Sequence, residues 1–457
     1  MSPRREMMVV SACCLYLSLS LLLFPSGSSA DTHTAASCSN SDVQAAVNAA
    51  SDGDMVSIPG GDCTWTASVV VDLASPARGL TIQGAGIGIT NITNYGFDVS
   101  GDYGKNWRVT GMTLKGSAGF VVGGASKNWR IDHIYFDAST GTPGASGRLI
   151  WVQPSTGHYT SGVIDHCTFH HLQTTAFHYR DDQSSGGNSS WNRALGLGGG
   201  DAVYIEDCTF IYSSYKPEWM TTDCEGGRYV FRYNTVQDGY VGMHDAIVNG
   251  WRSCRKWEIY NNTFINSPGS GIYTDMAIRG GTGVVFNNTF TGAPDGKPIH
   301  LALYRTYQTG GNPWDVLCSN SSGKACLGSS STYPQRCLSD ANCGGKTGAC
   351  IAIDNISGSP SGYPCRDQIG WDGNTQRTSR PSLFWNNQVD GVYTHPVVVS
   401  GKDYLVNGRD YCTGTSGMPS SCNGVASDYT PFPYPHPVTV EIPVTRYPNP
   451  PALRRTQ

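Results

Sequence analysis

The chain has 457 residues, of which 14% are charged, with 31 Lys+Arg against 35 Asp+Glu and a formal net charge of -4. An average domain carries about 25% charged residues, so this balance excludes a charged disordered chain, a coiled coil, and a protein that holds nucleic acid by neutralising phosphates. Hydrophobic residues at 39% together with 56 Gly suffice for a core. The scarcity of long helix-forming runs points to many short strands joined by tight turns.

Taken in chain order, residues 1–30 read as a secretory signal. Arg4 and Arg5 give a basic start, Val9 to Phe24 form an apolar run, and Ser28-Ser29-Ala30 supplies small residues for cleavage. The run is short for a membrane span and no later segment exceeds it, so the mature protein is expected to be secreted, extracellular or periplasmic, with no membrane span. Residues 31–60 form an N-terminal cap, in which Asp42 to Ala50 is a short amphipathic helix and Met55–Ile58 a strand.

From there a pattern recurs: Val109-Thr-Gly-Met-Thr-Leu, then copies beginning at Ile131, Ile164, Ile205, Phe231, Ile259, Val285 and Phe384. Aligned on their fourth residues, from Met112 to Asn387, the copies are 22, 33, 41, 26, 28, 26 and 99 residues apart. Alternating apolar residues point inward in each, and Asn234, Asn262, Asn288 and Asn387 fall at one turn, where stacked amides bond one another and the backbone. A period of 22 to 28 residues with loop insertions is that of a parallel β-helix, here of about nine or ten coils.

These residues carry a resemblance to the pectate-lyase-like right-handed parallel β-helix superfamily: the Ala-rich helix, Gly-Asp and Pro-Gly strand end within Ala45 to Gly60, the recurring NNTF turns, and Tyr434-Pro-His-Pro near the end. The resemblance implies an all-β, single-stranded right-handed parallel β-helix, a solenoid with an N-terminal capping helix and a Cys-rich loop insertion. The chain then divides into a β-helix over 61–305, a disulfide-rich insertion over 306–381, last coils over 382–411 and a tail over 412–457. Trp129-Arg-Ile-Asp132-His133 is similar to the WIDH segment of pectate lyases, whereas their RxPxxR motif and calcium aspartates are missing. His133 and His166 are assigned to the turn stack.

In this fold a strand about ten residues beyond each turn contributes to the sheet that usually forms the substrate groove. With Phe177, Met220, Met243, Ile272 and Ile299 inward, alternation places His178, Arg180, Asp223, His244, Asp245, Tyr273, Asp275, His300 and Arg305 on or near one outer face. Cleavage of a uronate-containing glycan by β-elimination needs a cation on the C6 carboxylate, a base for the C5 proton and an acid for the leaving oxygen. Arg180, Arg279 and Arg305 suit the first role, and His244 or Tyr273 the second. Hydrolysis instead needs two carboxylates. Asp223 and Asp275, two coils apart and so separated by about 9.6 Å, approach the spacing of an inverting pair of polygalacturonase-like type.

The expected activity is therefore a polysaccharide lyase, with a glycoside hydrolase or a non-catalytic glycan-binding or adhesive solenoid as alternatives and an extracellular polysaccharide as partner. Trp191, Trp219, Trp251, Trp314 and Trp371 could stack on sugar rings. Ca2+ is left open, without a DxDxDG-like loop to support it. The Gly-rich stretch Ser184 to Gly200 is placed to wall the groove. Fourteen cysteines lie beyond the signal, an even number suited to disulfides, with Cys38–Cys63 and Cys412–Cys422 as local pairs and Cys318, Cys326, Cys337, Cys343, Cys350 and Cys365 crowded into the insertion.

Overall fold

The computed structural model describes residues 30–139, 147–181, 186–213, 219–246, 251–303, 324–326, 339–345, 347–352, 367–370, 380–400 and 405–440. The expected signal segment lies outside them, as do Arg305, Trp314, Trp371 and much of the insertion. Among the described residues, no helix is long and apolar enough to cross a membrane.

Near the start, the helix Asn40–Ala49 begins where the Ser39 hydroxyl accepts the Asp42 backbone N–H at 3.2 Å, and it buries Val43, Ala46 and Val47. Its buried face is the spacing expected of an amphipathic helix. The chain then winds in coils whose strands pair in parallel with the coil before and the coil after. The repeat register is that of the sequence: Val109, Ile131, Ile164, Ile205, Phe231, Ile259, Val285 and Phe384 are direct neighbours in one column. Rungs without the motif extend it, at Val56 and Ile82 before and at Thr413 after, so the ladder is longer than the repeat alone suggested.

Each turn of the repeat is made by a residue in the left-handed region followed by an inward side chain, which is Ile134 after His133, Cys167 and Cys208 on the next two coils, and Asn on the later ones. His133, His166, Asp207, Tyr233, Asn261, Asn287 and Asn386 occupy that region at φ between 50° and 57°. The Asn234, Asn262 and Asn288 backbone N–H groups donate to the Oδ1 of the next Asn at 2.9, 3.1 and 3.3 Å, and their Nδ2 atoms donate to the same oxygens. Buried backbone groups that a turn would orphan are thereby paired. Removing one amide leaves buried donors and acceptors without partners. Asn288→Ala is therefore expected to lower stability by about 2 kcal/mol, read from the urea midpoint, and an unchanged midpoint would contradict the ladder's role.

Among the described residues Cys167 and Cys208 are buried and free, exceptions that an expectation of mostly paired cysteines allows. They continue the amide ladder toward the N-terminus, the Cys208 N–H donating to Asn234 Oδ1 at 2.9 Å and the Cys167 N–H to Cys208 Sγ at 3.4 Å. Disulfides Cys38–Cys63 and Cys412–Cys422 form as anticipated, Cys224–Cys254 was not foreseen, and Cys343 and Cys350 are both disulfide-bonded. Cys318, Cys337 and Cys365 lie outside the described residues.

The tail covers one outer face of the helix. Phe432 and His436 pack on Tyr204, Tyr434 stacks on Tyr233 at 3.7 Å, and the Tyr429 hydroxyl donates to Glu258 Oε2 at 2.7 Å. Arg232, fully buried, pairs with Glu206 and donates to the Phe432 and Pro433 carbonyls at 2.7 and 2.8 Å. Strands such as Arg228–Arg232 and Lys256–Tyr260 are consequently buried on both faces.

Candidate active site

The sheet away from the tail is built from Val69–Asp72, Phe97–Gly101, Phe120–Gly124, Arg148–Val152, Thr175–Arg180 and Thr222–Glu225, and continues as Val241–Gly242, Met276–Ile278 and Ile299–Leu301. Phe177, Met243 and Ile299 enter the core from it, as their alternation requires. Met220 instead packs with Tyr240 and Ala277 in a small separate cluster. The outward row reads Val121, Trp151, His178, Asp223, with Arg180 beside Glu225.

At the break between the two parts of this sheet, Asp223 gathers the chemistry. Its Oδ1 accepts the backbone N–H of Cys224 at 2.9 Å and of His244 at 3.3 Å. The His244 Nδ1 lies 2.9 Å from Oδ2, and the His178 Nδ1 lies 3.5 Å from the same oxygen. Burial pushes the Asp223 carboxyl up, but the His244 and His178 imidazoles and the backbone donors outweigh it and hold the group well below the ordinary carboxylate range. A carboxylate that stays ionised fixes the proton on His244 Nδ1 and leaves Nε2 as the acceptor. The His244 side chain is 34% exposed, so that acceptor reaches solvent.

Arg180 flanks the pair, bonded to Glu225 and stacked against Trp251 at 4.3 Å and Trp151 at 5.6 Å. Burial raises Glu225, while His178 and Arg180 bring it below its ordinary value. On the other side, Arg279 donates to Asp245 Oδ1 at 2.6 Å. Tyr273, 38% exposed, lies edge-on to Tyr240 at 5.7 Å and 5.9 Å from His300. Burial and Lys297 push the His300 imidazole below its ordinary value.

Several expected residues hold other positions. Asp275 is fully buried, its Oδ1 bonded to Asn266 Nδ2 at 2.7 Å, so it cannot face Asp223 across a substrate bond. Strand alternation does not govern it, because the regular strand begins at Met276. His178 is 1% exposed, its ring nitrogens 3.5 Å from Asp223 and 3.7 Å from Glu225, so it supports these carboxylates rather than meeting a ligand. Asp245 is likewise buried under Arg279. Trp219 packs partly against the core, and Trp191 is fully buried with its Nε1 donating to the Ser253 carbonyl at 3.0 Å. Trp191 therefore presents no open ring face.

Other contributors went unnoticed in the sequence. Cys224–Cys254 ties the Asp223 strand to the segment carrying Trp251. Ser253 Oγ donates to the His244 carbonyl at 2.6 Å, and its N–H donates to Asp367 Oδ2 at 2.9 Å. Asp367, from the end of the insertion, also grips the buried Arg252. The insertion is thus anchored beside His244, a long-range contact that no local pattern announces. Among the described residues, no group of three or more His, Cys, Asp or Glu side chains is arranged to hold a metal ion.

No family model and no curated protein matches the chain. Among solved structures it is similar to an alginate lyase from Paenibacillus sp. str. FPU-7, with 15% identity and a TM-score of 0.37 over 59% of this chain and 91% of that one. It is also similar to a mutant of the PL6 family alginate lyase AlyGC, with 12% identity and a TM-score of 0.34 over 89% of this chain and 57% of that one. Similarity of this order leaves the activity to be read from the side chains themselves.

Proposed function

We propose that this protein is a secreted polysaccharide lyase that cleaves a uronate-containing glycan by β-elimination. The carrying observation is the Asp223–His244 pair, an imidazole with one nitrogen held by an ionised carboxylate and the other open to solvent, set between two arginines. His244 Nε2 takes the C5 proton, the electron pair forms the C4–C5 double bond, and the C4–O4 bond breaks. Arg180 and Arg279, 21% and 17% exposed, are proposed to neutralise the C6 carboxylate, which makes the C5 proton more acidic. Tyr273, 38% exposed on the next coil, is proposed as the acid for the leaving oxygen. Arg305 is proposed as a further cation for the C6 carboxylate.

Secretion is supported by the disulfides Cys38–Cys63, Cys224–Cys254 and Cys412–Cys422. A right-handed winding is assigned because about 98% of parallel crossovers take that hand. The hydrolase reading loses its support with the burial of Asp275.

The test is incubation with a panel of polysaccharides: polygalacturonate, alginate, the polymer after which both lyases above are called, and a neutral glucan. Ultraviolet absorbance of an unsaturated product that rises with reducing ends on an acidic member supports the lyase. Reducing ends without that absorbance would establish a hydrolase, and binding without either product would leave a glycan-binding solenoid.

A further inference from the structure

We propose that the exposed turn formed by His133 and His166 binds one divalent transition-metal ion through the two imidazole Nε2 atoms. The two residues occupy the same left-handed position on adjacent coils, at φ 51° and 52°. Their rings are parallel within 3° with centroids 5.2 Å apart, and their side chains are 52% and 51% exposed.

Each ring is oriented from behind by a fully buried carboxylate. His133 Nδ1 lies 2.6 Å from Asp132 Oδ2, and His166 Nδ1 lies 2.7 Å from Asp165 Oδ2. The carboxylates are themselves fixed, Asp132 by two bonds from Arg108 at 2.7 Å and Asp165 by bonds from Arg130 at 2.9 and 2.7 Å. An ionised carboxylate only accepts, so each neutral imidazole carries its proton on Nδ1 and turns a lone pair on Nε2 to solvent. Carboxylate behind imidazole is the arrangement that orients and strengthens histidine ligands in metal sites.

The turn itself does not require imidazole, because Asn261, Asn287 and Asn386 satisfy the same backbone demand on later coils. Metal–nitrogen bonds of about 2.0–2.1 Å allow two nitrogens on one ion to lie at most about 4.2 Å apart. Parallel rings aim their Nε2 lone pairs side by side, so both rings must turn toward each other to share one ion, a motion open to half-exposed side chains. Asp207 occupies the next position in the same column and adds negative charge beside the pair. Two imidazoles with water completing the shell suit Cu2+, Ni2+ or Zn2+ rather than Ca2+ or Mg2+.

The experiment titrates Cu2+ into tag-free protein and follows it by calorimetry and electron paramagnetic resonance. The first equivalent is expected to show two nitrogen ligands. His133→Asn and His166→Asn, which place the turn's own residue type at each site, are expected to weaken it at least about tenfold each. In the unsubstituted protein, Zn2+ is expected to shield both histidines from diethyl pyrocarbonate, mapped by mass spectrometry. A two-nitrogen signal that persists in the double variant, a first equivalent without two nitrogens, or equal modification with and without Zn2+ would each overturn the proposal.

Discussion

Replacing His244 by Ala is expected to lower kcat by about 10²–10⁴-fold, the usual worth of a positioned general base, while the folded state persists. The side chain is partly exposed and makes its polar contact with Asp223, so its loss opens no core cavity. The companion variant Asp223→Asn keeps the shape but withdraws the charge that sets the imidazole tautomer. It is expected to depress kcat as well, with a smaller change in KM. Circular dichroism and steady-state rates on the depolymerised glycan check both, and wild-type turnover in His244→Ala would place the chemistry elsewhere.

A second large effect is expected from Asp275→Asn, on stability rather than turnover. Burial raises the Asp275 carboxyl from 3.8 to about 7, and only the Asn266 amide opposes the shift. For an acid with a raised folded-state value, the stability contributed by the protonated form is complete below 3.8 and is lost as pH rises through about 7. The shift corresponds to about 4 kcal/mol carried as a penalty above neutrality. In the native structure Asp275 Oδ2 and Asn266 Oδ1 are both buried without a bonding partner, which an added donor on residue 275 would relieve. The variant is expected to match wild type near pH 4 and to exceed it increasingly from pH 5 to 8. Parallel Tm curves across that range would contradict this reading of Asp275.

The coil register was readable because a stack of parallel coils repeats its demands at each turn. Asn234, Asn262, Asn288 and Asn387 show the same residue wherever the same buried backbone groups need pairing. The pairing of His244 with Asp223 was less direct, since alternation placed both on the outer face but could not say that the ladder breaks between them. Asp275 misled for a related reason: sidedness holds within a strand and lapses one residue before it. His178 has outward parity and is nevertheless sealed, because parity does not reveal what lies above a side chain. The tail and Asp367 act over separations such as 115 residues between Arg252 and Asp367, beyond the reach of any local pattern. The buried charges Arg232, Glu206, Lys256 and Glu258 make sense only once the tail covers their face.

The most direct measurement of the central claim is the mass of the oligosaccharides released from the acidic glycan that the protein depolymerises best. Elimination adds no water across the broken bond, so each new non-reducing end should be lighter by one water than a hydrolytic end, and His244→Ala should release none. Products carrying the full water at every new end would contradict β-elimination at the Asp223–His244 pair.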